Sequence, residues 1–182
     1  MKIFAVYGRL KLINKPKWLD EIINSVNFEY ELHVTFKQPV FIKKNQADEV
    51  KNVADNFFNK IKFPSHKIKV VFDRIYPDSN YECVMIEVKD NPILMDFQKR
   101  IIKAFKKYSD YCKPETEKYE KSFHPHLSIS LDLDKETYQK EIKKIPANFR
   151  VTGEIREIIL VIVKEETPKE ANDSKNLTIF KL

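Results

Sequence analysis

Two triplets in this sequence place a hydroxyl residue two positions after a histidine. The first runs from His33 to Thr35 (HVT) and the second from His126 to Ser128 (HLS). Each triplet lies in a run of alternating apolar and polar residues, which is typical of a half-buried β-strand. Because residues i and i+2 of a strand point to the same face, each histidine is predicted to share its face with a hydroxyl.

This set of side chains is suited to acid–base chemistry on a phosphodiester. A neutral histidine can remove a proton from the attacking oxygen, and a protonated one can donate a proton to the leaving oxygen, because the free imidazole pKa is about 6.5. The two hydroxyls can donate hydrogen bonds to phosphate oxygens, which gain negative charge during the reaction. The scheme needs no metal, and no residue pattern with metal-ligand spacing accompanies the triplets. We therefore expect neither a metal nor a cofactor.

Each candidate residue also has a plainer interpretation. A single His-x-Thr triplet is usually part of a solvent-exposed strand face, and the second matched copy is what favours catalysis. Lys37 continues the face of the first triplet, where it could attract phosphate or simply face solvent. Tyr119 and Phe123 precede the second triplet and could stack a nucleobase. For these two aromatic residues we favour packing of a loop onto the core.

The rest of the chain alternates helical and strand patterns, which predicts an α+β fold with antiparallel sheets. The predicted helices are Lys15–Asn27, Asn45–Ile61, Asn91–Tyr108 and Lys135–Lys144. The predicted strands are residues 2–8, Tyr30–Phe36, Lys67–Ile75, Tyr81–Val88, Pro125–Leu133, Leu177–Leu182 and, as one strand or two, Val151–Lys164. Lys164–Asn176 is charged and contains a proline, so it is predicted to be a mobile hairpin loop. Whether this segment acts as a lid is left open.

Length and composition limit the possible classes of protein. With 182 residues and 42% hydrophobic residues, the chain suits a single domain over residues 1–182, of two lobes that share a core. The two glycines cannot supply a glycine-rich phosphate loop or a nucleophile elbow. Cys83 and Cys112 match no zinc pattern and are too few for a secreted disulfide scaffold.

The charge balance permits an anionic ligand without requiring one. Lysine and arginine number 33 against 27 aspartates and glutamates, which gives a formal net charge of +6. This surplus suits a phosphate ester or RNA, and a lysine-rich soluble surface explains it equally well. No window approaches 18 apolar residues and the first residues lack the pattern of a signal peptide. We therefore expect a cytoplasmic protein without a membrane partner.

Both triplets and their surroundings resemble the signature motifs of the 2H phosphoesterase superfamily. This superfamily includes the RNA 2',3'-cyclic phosphodiesterases that are also called 2'-5' RNA ligases. The second motif is the more specific, because residues 123–129 (FHPHLSI) resemble the run aromatic-x-Pro-His-apolar-Thr/Ser-apolar. The resemblance implies a bilobal α+β fold in which two antiparallel sheets flank a central cleft, with helices outside and pseudo-twofold symmetry. It also implies that the catalytic set is His33, Thr35, His126 and Ser128.

The leading hypothesis is a monomeric phosphodiesterase that acts on RNA or a nucleotide with a 2',3'-cyclic phosphate or a 2'-5' linkage. Which histidine is the base and which the acid is left open, and the reverse joining reaction is possible in principle. An enzyme with the same site could instead degrade cyclic or 2'-5' oligonucleotide messengers of antiviral defence. A third alternative is an RNA-binding module without activity. The paired histidines argue against it, because binding alone does not need them.

Overall fold

The computed structural model describes residues 1–61 and 66–182, and its strands pair antiparallel throughout these ranges. The strands are β1 (Lys2–Asn14), β2 (His33–Ile42), β3 (Ile68–Tyr76), β4 (Met85–Val88), β5 (His126–Ser128), β6 (Val151–Val163) and β7 (Leu177–Lys181). They lie in the order β2-β1-β6-β3-β4-β5, and β7 pairs with β6. The helices are α1 (Lys17–Ser25), α2 (Ala47–Phe58), α3 (Pro92–Ala104), α4 (Glu117–Lys121), α5 (Lys135–Ile142) and α6 (Pro168–Ala171).

The two long strands β1 and β6 run through two arms of the sheet, which a bulge separates. Strand β6 pairs with β1 along its length, but its first residues also pair with β3 and its later ones with β7. Between these parts Arg9 faces Glu157 and Leu10 faces Ile155, so Arg156 is the extra residue of a bulge. Bulges bend and twist a strand. The first arm contains β2, the start of β1, the end of β6 and β7, and the second contains the end of β1, the start of β6, β3, β4 and β5.

The predicted α+β class with antiparallel pairing is confirmed. The structure differs from the expected pair of sheets, because hydrogen-bonded pairing continues from β2 to β5 without a break. The reason is that β1 and β6, of 13 residues each, are long enough to belong to both arms. The pseudo-twofold symmetry stays a prediction.

Helices pack against the sheet through the hydrophobic core. On the first arm, Phe97 of α3 contacts Phe36 of β2 with ring centroids 5.1 Å apart, and Phe58 of α2 contacts Phe180 of β7 at 4.6 Å. Beside the start of β6, Ser25 at the end of α1 donates a hydrogen bond to the Glu141 carboxylate of α5. Helix α3 follows a strand of the second arm yet packs on the first, so the two arms share their core.

The segment Lys164–Asn176, predicted to be a mobile loop, contains helix α6 and a short 3-10 turn at Ser174–Asn176. The Glu170 carboxylate accepts hydrogen bonds from the backbone amides of Lys164 and Glu165, which closes the segment on itself. The segment is thus more regular than a loop, and it connects two antiparallel neighbours, β6 and β7, as expected for a hairpin. Its mobility stays a prediction. In the described part of the chain no helix is both long and apolar enough to cross a membrane.

Candidate active site

The two predicted histidine strands lie at opposite ends of the strand order but face each other. Strands β2 and β5 are in contact because the two arms bend toward each other. A cavity of about 210 Å³ lies between them. His33, Thr35, His126 and Ser128 all line it, so the structure brings together the four residues that the two triplets predicted.

His33, at the first position of β2, has a fixed ring orientation. Its Nδ1 lies 2.6 Å from the carbonyl oxygen of Glu31. The Tyr7 ring of the neighbouring strand β1 packs against the imidazole, with centroids 4.7 Å apart. Burial lowers the pKa of His33, and the Glu31 carbonyl opposes this shift only in part.

His126, at the first position of β5, repeats this arrangement in the second arm. Its Nδ1 lies 2.8 Å from the carbonyl oxygen of His124. Tyr76 at the end of β3 stacks on the ring, with centroids 5.2 Å apart and planes 10° from parallel. Burial lowers the pKa of His126, and a positive charge on His33 lowers it further. A charge on His33 therefore disfavours protonation of His126.

In both histidines a backbone carbonyl two residues earlier determines which ring nitrogen is available. A carbonyl oxygen only accepts hydrogen bonds, so the neutral ring must carry its proton on Nδ1. Nε2 is then the unprotonated nitrogen and the one left for the cleft. A pair of imidazoles held in this tautomer can accept a proton on one Nε2 and, when the other is protonated, donate one from it.

The hydroxyl residues of β5 and its continuation have different environments. Ser128 lines the cleft beside the thiol of Cys83. Ser130, which follows it by two residues, is completely buried, and its hydroxyl accepts a hydrogen bond from the backbone amide of Val84. Ser128 is thus placed to contact a ligand, whereas Ser130 holds the loop before β4.

Lys37 does not line the cleft, although it was predicted to share a strand face with His33 and Thr35. In the pairing of β1 with β2, Tyr7 faces Thr35 while Val6 faces Lys37, so Phe36 is an extra residue. The bulge moves Lys37 to the buried side, where its Nζ lies 2.9 Å from the Glu120 carboxylate and its side chain is 2% exposed. The structure thus contradicts the expectation that Lys37 continues the face of His33 and Thr35.

The two aromatic candidates have separate positions. Phe123 packs against the core beside Phe36, with ring centroids 6.3 Å apart, as the packing interpretation expected. Tyr119 lies with its ring centroid 6.5 Å from that of His126 and lines a groove next to the cleft. Of these two residues, Tyr119 is the one that the structure places near a candidate catalytic histidine.

Sequence reasoning missed the residues that complete the cleft. Tyr7 and Tyr76 pack on the two imidazoles, but each belongs to a strand whose register with its partner no local pattern reveals. Tyr30 and Glu166 form part of another wall, and Ile3, Ala5, Val161 and Val163 are among its apolar residues. Burial raises the pKa of Glu166. Because Glu166 follows β6, the 164–176 segment borders the cleft.

Over residues 1–61 and 66–182, no group of three or more histidine, cysteine, aspartate or glutamate side chains has the geometry to hold an ion.

Comparison with known proteins places the chain in a family. The family model described as the 2'-5' RNA ligase superfamily matches residues 29–166, which include both histidine triplets. A crystal structure described as a phosphoesterase is similar in fold, with a TM-score of 0.53 at 11% identity over 100% of this chain and 96% of that one. Escherichia coli LigT complexed with 3'-AMP has a TM-score of 0.52 at 13% identity, over 100% of this chain and 95% of that one. No curated protein sequence matches the chain. The chain belongs to the 2'-5' RNA ligase superfamily of phosphoesterases.

Proposed function

We propose that this protein is a phosphodiesterase that hydrolyses a 2',3'-cyclic phosphate or a 2'-5' phosphodiester of RNA or a nucleotide. The observation that carries the proposal is the matched pair of histidines. Each has Nδ1 fixed on a backbone carbonyl, and both line one cleft together with a hydroxyl residue of the same strand. Membership of the superfamily and the description of LigT with bound 3'-AMP support a nucleotide substrate.

In the proposed reaction, one imidazole Nε2 removes a proton from water as the water oxygen attacks phosphorus. The other imidazole, protonated on Nε2, donates its proton to the ribose oxygen that leaves. Thr35 and Ser128 donate hydrogen bonds to the non-bridging oxygens, whose charge increases in the transition state. At the end of one turnover the first histidine is protonated and the second is neutral, so a proton exchange with solvent restores the starting state.

The test is hydrolysis of a 2',3'-cyclic nucleotide in EDTA by the wild type, His33→Ala and His126→Ala. Each substitution removes one acid–base group, so we expect each to lower kcat by about 10²- to 10⁴-fold. His66→Ala is the matched control, because His66 is exposed and lies outside both triplets. Its activity should equal that of the wild type.

Four results would count against parts of the proposal. Activity that survives both triplet substitutions would exclude the two-histidine mechanism, and activity lost in EDTA would exclude a metal-independent one. If the wild type is inactive on the cyclic nucleotide, it is tested on a panel of 2'-5' linked and cyclic oligonucleotides. Turnover of the cyclic oligonucleotides alone would favour the messenger-degrading enzyme, and turnover of a 2'-5' linked one agrees with the proposal. Binding of RNA without turnover of any member of the panel would identify an inactive RNA-binding module.

A further inference from the structure

A groove next to the cleft is lined by four tyrosines, Tyr76, Tyr81, Tyr119 and Tyr138. We call it the tyrosine groove, and its volume is about 440 Å³. It begins at the catalytic site, because Tyr76 stacks on the His126 ring and the Tyr119 ring lies 6.5 Å from it. The proposed reaction uses none of these four rings.

Positive charges accompany the aromatic rings of the groove. Lys118 Nζ lies 5.3 Å from the centroid of the Tyr119 ring, and Lys135 Nζ lies 4.9 Å from that of Tyr81. Asp78 also lines the groove, but its carboxylate already accepts hydrogen bonds from three backbone amides of the turn that follows it, those of Asn80, Glu82 and Cys83. Alternating aromatic faces and lysines suit a ligand with flat rings and a negatively charged backbone.

The backbone at Tyr81 gives an independent indication that its side chain matters. Tyr81 has φ of 62°, in the left-handed region that glycine and asparagine adopt at much lower cost than a bulky residue. Its side chain packs edge-on against Tyr138 and is still 39% exposed. A strained backbone that presents an exposed aromatic ring is the kind of outlier found at functional sites.

We infer that the tyrosine groove binds bases of the RNA strand that continues from the phosphate in the cleft, so that a single-stranded oligoribonucleotide binds more tightly than a mononucleotide. Stacking on aromatic rings with lysines along the backbone is how proteins bind single strands without selecting a sequence. The inference rests on the proposed function for the position of the phosphate. It adds a second binding site on the His126 side.

Two variants test the groove without altering the catalytic cleft. Tyr81→Asn removes the exposed ring and keeps a residue that tolerates the left-handed backbone. Lys118→Ala removes one cation. Matched controls are Ile93→Ala and Lys103→Ala, which remove an exposed apolar side chain and an exposed lysine from α3. Binding is followed by fluorescence anisotropy of a labelled tetraribonucleotide that ends in a 3'-phosphate, so the measurement does not depend on turnover.

We expect Tyr81→Asn to weaken tetranucleotide binding by about 5- to 100-fold, the range for loss of one base–aromatic stack. Lys118→Ala should also weaken binding and reduce its dependence on salt, and the controls should bind like the wild type. In a second assay, kcat/KM for a tetranucleotide that ends in a 2',3'-cyclic phosphate should fall in both groove variants, while hydrolysis of the cyclic mononucleotide stays at the wild-type rate.

Several outcomes would overturn the inference. They are a wild type that does not bind the tetranucleotide, groove variants that bind it as well as the wild type does, and an equal loss of activity on both substrates. If binding falls as expected but the wild type hydrolyses neither substrate, the groove is confirmed as a site for single-stranded RNA and the proposed function fails. The two proposals can therefore fail separately.

Discussion

The protonation of His33 and His126 determines the pH range in which the proposed reaction runs. Catalysis needs one imidazole protonated and one neutral, and this form is most abundant between the two pKa values of the pair. Burial lowers both pKa values from the ordinary 6.5. We therefore expect kcat/KM, which reports on the free enzyme, to be maximal below about pH 6.5 and to fall as rising pH removes the proton of the acid.

The dependence of kcat on pH should differ in a predictable direction. A bound phosphate anion next to the histidines favours their charged forms and raises both pKa values. The maximum of kcat should thus lie at higher pH than that of kcat/KM. Rates measured between pH 4.5 and 8.5 decide the matter, and a kcat/KM that still increases above pH 7 would show that the pair is not protonated as proposed.

The hydroxyls of Ser128 and Ser130 allow a direct comparison of a proposed catalytic role with a structural one. Ser128→Ala should lower kcat by about 10²-fold, the scale for loss of one donor to a charged transition state, and leave stability nearly unchanged. Ser130→Ala should instead leave kcat nearly unchanged and lower the free energy of unfolding. It leaves the buried amide of Val84 without its acceptor, which costs about 1–3 kcal/mol of unfolding free energy.

Steady-state kinetics and urea unfolding of the same two proteins provide both readouts. Equal effects of the two substitutions on kcat would contradict the assigned roles. The sequence predicted that Ser128 lies in the site because apolar and polar residues alternate regularly along β5. The sequence could not show that Ser130, two residues further on, has a structural role, because its burial depends on the loop before β4 that packs over it.

At the level of single elements, one buried ion pair ties strand β2 to helix α4. The Glu120 carboxylate accepts hydrogen bonds from Lys37 Nζ, the backbone amide of Gln38 and the Tyr111 hydroxyl. We call these contacts the Glu120 clamp. Because β2 carries His33 and α4 leads into β5, the clamp holds together the two strands that bear the proposed catalytic histidines.

Breaking one side of this clamp should be costly. Lys37→Met leaves the Glu120 carboxylate buried without its cation, so we expect a loss of about 3–5 kcal/mol in the free energy of unfolding. In Lys37→Met/Glu120→Gln the neutral amide oxygen can still accept from Gln38 and Tyr111. The double variant should therefore lose much less than the sum of the two single variants.

Urea unfolding of the wild type, Lys37→Met, Glu120→Gln and the double variant completes a double-mutant cycle. Lys107→Met, which breaks the exposed ion pair of Lys107 with Glu49, is the matched control and should leave stability almost unchanged. Additive effects in the cycle would mean that the buried pair is not coupled. The sequence suggested no such pair, because it depends on the bulge at Phe36 and joins residues 83 positions apart.

Local patterns predicted the elements better than their ends. The helical pattern of apolar residues after Asn91 correctly predicted α3. The Asn91 side chain caps its first turn by accepting a hydrogen bond from the Leu94 amide. Strand β1 continues beyond the predicted residue 8 to Asn14, although Arg9 breaks its apolar run. Its charge is neutralised by Glu31 and Glu157, whose positions depend on strand register. A polar residue can thus lie inside a strand when distant partners pair with it.

At the level of the whole molecule, the sequence showed both halves of the site but not how they meet. The two triplets identified β2 and β5, yet nothing local indicates that these are the two end strands of one sheet. That arrangement depends on β1 and β6, which run through both arms, and on the bulge at Arg156 that separates the arms. Sheet order and bulges arise from long-range pairing, which a local pattern does not encode.

The shared strands and the shared helices predict how the whole chain unfolds. The two arms are joined through β1 and β6, and α3 of the second half packs on the first arm through Phe97 and Phe36. Neither arm can keep its core when the other opens, so we propose that the chain is one cooperative domain. Urea unfolding should therefore show one transition, with the same midpoint by far-ultraviolet circular dichroism and by Trp18 fluorescence.

Trp18 reports on one region of this structure, because it packs on Phe149 just before β6. Lys37→Met changes a contact in β2, which lies two strands away from β6 in the sheet, yet it should lower the Trp18 midpoint as much as the circular dichroism midpoint. A Trp18 transition that keeps its wild-type midpoint in this variant, or two separated transitions in the wild type, would show that the arms unfold independently. In that case the proposed catalytic cleft would lie between two domains, and its two histidines could separate without global unfolding.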